Sequence, residues 1–291
     1  MTIAAIAERE AVGETAALFA EIRRVLGVPV VNLVWRHLAT FPGGLDWAWR
    51  AVRPCYVSGA AAREGAALHA ALPLPAVPPW SRAELGAAGV DESGERTIVT
   101  VLDSYNRSNA MNLVALTALA ARLQDGSAVG AAPAASVTPG GARAAVEGEL
   151  PALLGVAEMA PATAEMVRRL DCLGERGEPR IPASMYRHLA HWPGFLGLAH
   201  ARLAPLDHDG RLGGLIDGAR ILARAAAERV VCDLAEPGPA ARPSLRAEVP
   251  LALAEFTEGV IAKMVPIAAL LGRAISTAAC GLSRARAERG R

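Results

Sequence analysis

The 291-residue chain is 52% hydrophobic but only 4% aromatic. That mixture suits a helix-rich globular fold better than a strand-rich one, which draws on Val, Ile, Thr and aromatic side chains. Thirty basic residues against 29 acidic ones leave a formal charge of +1, so the electrostatic footprint of a nucleic-acid binder is missing.

The N-terminal stretch MTIAAIAEREAVGE has no basic start followed by an apolar run, so no signal peptide is expected. The most apolar segment, Val260 to Leu271, is interrupted by Lys263 and Pro266, which argues against a membrane span. Cys55, Cys172, Cys232 and Cys280 lie far apart, with no CxxC and no zinc-ligand spacing. They read as buried free thiols in a reducing compartment, the cytoplasm. No GxSxG elbow, P-loop or dinucleotide fingerprint occurs, so neither a metal nor a cofactor is expected.

Along the chain, WRHLATFPGGL at 35–45 returns as YRHLAHWPGFL at 186–196, an offset of 151. The same offset sets Tyr105 on Phe256, Leu119 on Leu270 and Arg122 on Arg273. Each half reads as short helices, a proline-rich loop (Pro73 to Trp80, then Glu236 to Pro250) and one long helix. The long helices are expected at about Glu95 to Leu123 and Val249 to Arg284, from apolar spacings of three and four. Between the halves, 124–150 is rich in Gly, Pro and Ala and reads as a connector. The predicted architecture is therefore all-α: repeat one at 1–123, a linker at 124–150 and repeat two at 151–291. Two such halves should pack as a pseudo-dimer with a ligand site between them. Whether whole chains pair further, as a homodimer, is left open.

On the first long helix, Ile98, Leu102, Tyr105, Leu116 and Leu119 share one arc at about 100° per residue, and Asn109 and Asn112 fall inside it. An amide on an apolar face either ties down a buried backbone group or lines a cavity. The offset sends Asn109 to Val260 and Asn112 to Lys263, the only lysine in the chain. A buried ammonium there either pairs with an acid, snorkels outward or binds a substrate carboxylate. Trp35 and Tyr186 read as core residues at the repeat interface. The recurrence of Arg36 with Arg187, and of His37 with His188, favours a shared architectural role.

The doubled aromatic-RHLA motif, with YNRSNAMNLVALTAL from Tyr105 to Leu119, resembles the group I 2-haloacid dehalogenases, which act on both D- and L-substrates. The likeness spans nearly the whole chain. A more distant one, in Pro182 to Ala190, is to the carboxymuconolactone decarboxylase and alkylhydroperoxidase group, whose redox chemistry needs a CxxC that is absent here. The dehalogenase resemblance implies an all-helical pseudo-dimer in which an Asp activates water to displace halide directly at C2, without a covalent ester. It carries an assisting Asn over to Asn109, with Asn112 second, and a pocket Trp over to Trp35. A Ser-Asp pair carries over to Ser184 and Met185, so a thioether stands where the base is expected. Asp103 or Glu178 would have to supply it.

The expected catalytic residues are Asn109 and Ser184. Trp35, Asn112, Met185, Tyr186, Val260 and Lys263 are the expected substrate contacts. The leading expectation is hydrolysis at the carbon alpha to a small carboxylate. The alternatives are intramolecular displacement or cyclisation without water, and non-catalytic binding of a small molecule.

Overall fold

The computed structural model describes residues 3–125, 145–175, 181–236 and 238–288, with side chains to 275 in the last stretch. The described residues form helices and loops, with no strand among them. The first part of the chain carries α1 (Gly13–Leu26), α2 (Leu33–Leu38), α3 (Gly44–Val57), α4 (Ala60–Ala71), α5 (Arg82–Ala87) and α6 (Glu92–Asp125). The second carries α7 (Pro161–Cys172), α8 (Ser184–Leu189), α9 (Pro193–His208), α10 (Arg211–Val230), α11 (Leu245–Glu258) and α12 (Val260–Glu288). Most of the expected linker, 126–144, and the candidate base Glu178 lie outside the described residues.

At 34 residues, α6 is the axle of the fold. It starts where Asp91 accepts a hydrogen bond from the Gly94 amide at 2.7 Å, with Glu92 and Glu95 in the first turn to complement the helix dipole. Ile98, Leu102, Tyr105, Leu116 and Leu119 are all buried, as their shared arc predicts. Around α6 pack α12, α11, α4 and α10.

The proline loop of the first half ties it to the second. The Trp80 amide donates to the Ala274 carbonyl at 2.9 Å. The Trp80 ring meets Phe195 edge-on at 5.2 Å and carries the Arg202 guanidinium on its face. Among the described residues, no helix is long and apolar enough to cross a membrane.

One expectation needs correction. The second long helix is two helices, α11 and α12, separated at Gly259. A Cβ at Gly259 would lie 2.6 Å from the Glu255 carbonyl oxygen, a contact only glycine avoids. The Glu258 carbonyl at the break accepts a hydrogen bond from Arg220 Nε at 2.8 Å, so the interrupted ladder is satisfied from α10. The thiols also differ from expectation: Cys55 is buried, Cys172 half-buried and Cys232 exposed. The side chain of Cys280 lies outside the described residues.

Candidate active site

The starts of α2 and α8, the middle of α6 and the α11–α12 break converge on a small cavity of about 30 Å³. Its walls include Asn32, Leu33 and Val34 from one side and Ala183, Ser184 and Met185 from the other. Tyr105 and Asn109 enter from α6, and Phe256 and Val260 from the break. These residues fall into five pairs 151 positions apart. In four of them one member is polar and its counterpart apolar: Asn32 with Ala183, Ser184 with Leu33, Tyr105 with Phe256, Asn109 with Val260.

The polar groups are ordered by a chain of hydrogen bonds whose direction can be worked out. Ser108 Oγ donates to the Ser104 carbonyl at 2.8 Å, so toward Asn32 it can only accept. Asn32 Nδ2 therefore donates to Ser108 Oγ at 2.9 Å, and its other proton goes to Asn109 Oδ1 at 3.1 Å. This fixes both amides. Asn109 Nδ2 and Asn32 Oδ1 are left as a buried donor and a buried acceptor without protein partners. Both residues line the cavity, where unpaired polar atoms are costly unless they serve a ligand.

On the opposite wall, Arg36 Nη2 donates to Ser184 Oγ at 2.8 Å. Ser184 also neighbours the hydroxyl of Tyr105, which lies 2.9 Å from His188 Nδ1. Burial pushes the Tyr105 phenol above its ordinary range. Burial, then the charges of Arg36 and Arg187, lowers His188 to about 3. At neutral pH the imidazole is thus uncharged, and it shares one hydrogen bond with the Tyr105 hydroxyl. Behind this wall Asp171 accepts the Ala183 amide at 2.9 Å, and burial raises its carboxyl to about 6.

Of the expected site residues, Asn109, Ser184, Met185 and Val260 line the cavity. The other four do not. Trp35 is fully buried against Trp49 and Tyr56, edge-on to both. Asn112 accepts the Tyr56 hydroxyl at 2.8 Å, so it ties the core of the first half together. Tyr186 is fully buried, its hydroxyl without a protein partner. Lys263 is 1% exposed and donates to Glu175 Oε1 at 2.8 Å and the Asp171 carbonyl at 2.6 Å, so its charge is already neutralised. Asp103 is exposed and does not line the cavity, and none of the lining residues is a carboxylate. Two contributors escaped the sequence reading. Asn32 had a usable signal in its place four residues ahead of the first RHLA, and Tyr105 in its place one turn before Asn109. Among the described residues, no group of three His, Cys, Asp or Glu could hold a metal ion.

No family model matches the chain. It is 31% identical to a configuration-inverting 2-haloacid dehalogenase of Alcaligenes xylosoxydans xylosoxydans, over 73% of each chain. An (R)-2-haloacid dehalogenase of Pseudomonas putida is 28% identical over 34% of this chain and 35% of its own. Among solved structures, D-2-haloacid dehalogenase in complex with L-LA has a TM-score of 0.75 at 16% identity, covering 94% of this chain and 96% of that one. A mutant of D-2-haloacid dehalogenase with D-2-CPA has a TM-score of 0.68, also at 16% identity, and covers 94% of each. At such identity these two speak for the fold.

Proposed function

The chain belongs to the 2-haloacid dehalogenase family, and from that premise we propose that it hydrolyses the carbon–halogen bond of a small 2-halocarboxylic acid. The observation that carries this reading is the pair of unpartnered amide atoms, Asn109 Nδ2 and Asn32 Oδ1, on residues that line a largely apolar cavity. Asn32 Oδ1 accepts a hydrogen bond from the attacking water and orients it, while Asn109 Nδ2 donates to its oxygen or to the substrate. The water oxygen bonds to C2 as the carbon–halogen bond breaks, and the halide leaves with the electron pair. Ser184 Oγ, Tyr105 Oη and neutral His188 lead the released proton away from the cavity. Phe256, Val260, Ile261 and Met264 exclude bulk water and seat the alkyl group.

Direct displacement of this kind inverts C2. Incubating the protein with each enantiomer of 2-chloropropionate in ¹⁸O water tests it. The expected products are chloride and lactate of opposite configuration carrying the solvent label. Unreacted substrate from both enantiomers, and from the 2-bromo acids, would refute it.

The absence of a carboxylate from the described cavity wall favours one second reading. A nucleophile within a larger substrate, held by the same amides, could displace the leaving group and close a ring, with positioning supplying much of the rate. Solvent oxygen in the product excludes this reading.

The cavity also supports the view of the chain as two tandem helical modules, 1–123 and 151–291, because its walls are built from positions one repeat apart. The free thiols Cys55, Cys172 and Cys232 suit a cytoplasmic setting.

A further inference from the structure

We propose that Arg36 and Arg187 form a binding site for a monovalent anion, a carboxylate or a halide, on the floor of the groove beside the cavity. The groove, about 620 Å³, shares Leu33 and Pro182 with the cavity and is lined by Arg36, Arg187 and His188, among others. The two arginines stand 151 positions apart, one in each copy of the RHLA motif. They are the one charged pair that both halves present to this groove.

Their surroundings do not neutralise them. Arg36 is 5% exposed, yet its hydrogen bonds go to uncharged groups: Nε donates to the Val31 carbonyl at 3.1 Å and Nη2 to Ser184 Oγ. Arg187 Nε donates to the Leu154 carbonyl at 2.7 Å. Among the described residues neither guanidinium has a carboxylate within 4.0 Å, whereas Lys263 and many surface arginines do. Of the three acids lining the groove, Glu149 is exposed and pairs with neither arginine, and the other two are engaged elsewhere. Glu8 pairs with Arg23 and accepts the Val31 amide, and Glu158 accepts the Gly155 amide. Burial and then the charge of Arg36 lower the pKa of Arg187, and the more distant charges of Glu158 and Asp171 oppose this only in part. A buried, uncompensated pair of planar donors is costly and matched to an anion by its fork of N–H groups.

Because Arg36 also holds Ser184, an anion on the arginines lies next to the cavity wall. A 2-haloacid bound through its carboxylate would then project C2 toward Asn109. That last use rests on the hydrolase reading; the anion site does not.

The test titrates wild-type protein, Arg187→Gln and Arg36→Lys with propionate and with bromide, neither of which can react. Binding is followed by calorimetry, and the His188 imidazole by NMR. Wild type is expected to bind at least one anion, with the His188 pKa rising as the anion offsets the two guanidinium charges; Tyr105, His191, Arg36 and Arg187 are the groups acting on it. Arg187→Gln, on a half-buried residue, should weaken binding at least tenfold with an unchanged melting temperature. Propionate alone would mark a carboxylate anchor, bromide alone a halide exit site, and both support the proposal. Wild type that binds neither, or Arg187→Gln that binds as wild type does, overturns it even if Arg36→Lys fails to fold. Anion binding without halide release from any 2-haloacid would remove the hydrolase reading and leave this site standing.

Discussion

Asn32 Nδ2 donates to Asn109 Oδ1 across 3.1 Å, joining residues 77 positions apart and leaving the Asn109 amide nitrogen, on a residue that lines the cavity, without a protein partner. Removing the donor by Asn109→Ala should lower the halide-release kcat by about 10²-fold, the usual cost of one oriented donor. Asn32→Ala should cost up to about 10²-fold through misplacement of the same amide. Neither should melt much below wild type, because each removes a buried unpaired atom as well as a bond. Steady-state halide release beside thermal melts checks both. Wild-type kcat in the two variants would take the amides out of the mechanism.

Met185 is fully buried and lines the cavity at the position where the family resemblance expects an Asp. Met185→Asp should raise halide release, since a positioned general base contributes about 10²- to 10⁴-fold. The new carboxyl would sit among apolar walls, so burial should raise its pKa. The gain should then appear only as pH climbs through that raised pKa, giving a rate profile with an ascending limb that wild type lacks. A flat profile at the wild-type rate would mean that Met185 does not face the reacting carbon.

Much of the fold could be read from periodicity, and some of the site could not, for separable physical reasons. The helical arc on α6 correctly brought Asn109 to the cavity, but it also admitted Asn112, one turn further, where Tyr56 from α3 fills the space. An arc says which side a residue faces, not which neighbour meets it there. The offset carries more: Asn109 and Val260 both reach the cavity, whereas Asn112 and Lys263 are both spent on the cores behind it. Asn32 was missed because its counterpart is Ala183, so repetition gave no hint of it. The break at Gly259 depends on Arg220 of α10, a tertiary contact that no local pattern encodes.

Two buried groups behind the cavity wall set opposite pH dependences of stability. His188 is lowered to about 3, so between pH 6.5 and 3 the unfolded chain takes up a proton that the folded one refuses. Stability from this group is complete above 6.5 and declines as pH falls, by about 4–5 kcal/mol over the window. Asp171 is raised from 3.8 to about 6, so between those values the folded chain keeps a proton that the unfolded one loses. Its contribution declines as pH rises, by about 3 kcal/mol. His188→Gln, which can still hydrogen-bond Tyr105, should therefore gain on wild type at pH 4 relative to pH 7. Asp171→Asn, which still accepts the Ala183 amide, should gain at pH 7 and not at pH 3.5. Urea unfolding at these pH values checks the signs, and parallel curves for all three proteins would contradict both assignments.

Lys263 and Glu175 make the buried ion pair that a substrate-binding role for the lysine would have to break. Lys263→Met should cost about 1–3 kcal/mol, short of a fully buried pair because Glu175 is 31% exposed and can turn to water. The Asp171 pKa should rise further, since Lys263 helps hold it down. Kcat and KM for a 2-haloacid should stay at wild-type values, because the ammonium does not reach the cavity. A selective rise in KM, at unchanged stability, would restore the lysine to the site.

The α11–α12 break makes the last argument about specificity. Gly259 is where the chain ends one helix and begins another, and Val260, Ile261 and Met264 just beyond it form the apolar wall of the cavity. In Gly259→Ala the new Cβ would start 2.6 Å from the Glu255 carbonyl oxygen, so backbone rather than a pliable side chain has to move. The expected cost is about 1–3 kcal/mol, as for other forced overpacking. The displaced start of α12 should change KM more than kcat, since the amides that act on water come from other elements. Gly213→Ala is the control: it lies within α10, and its Cβ would meet nothing within 4 Å. That variant should gain up to about 1 kcal/mol from helix propensity with unaltered kinetics. Equal KM values in the two variants would show that the break shapes the backbone without shaping the pocket.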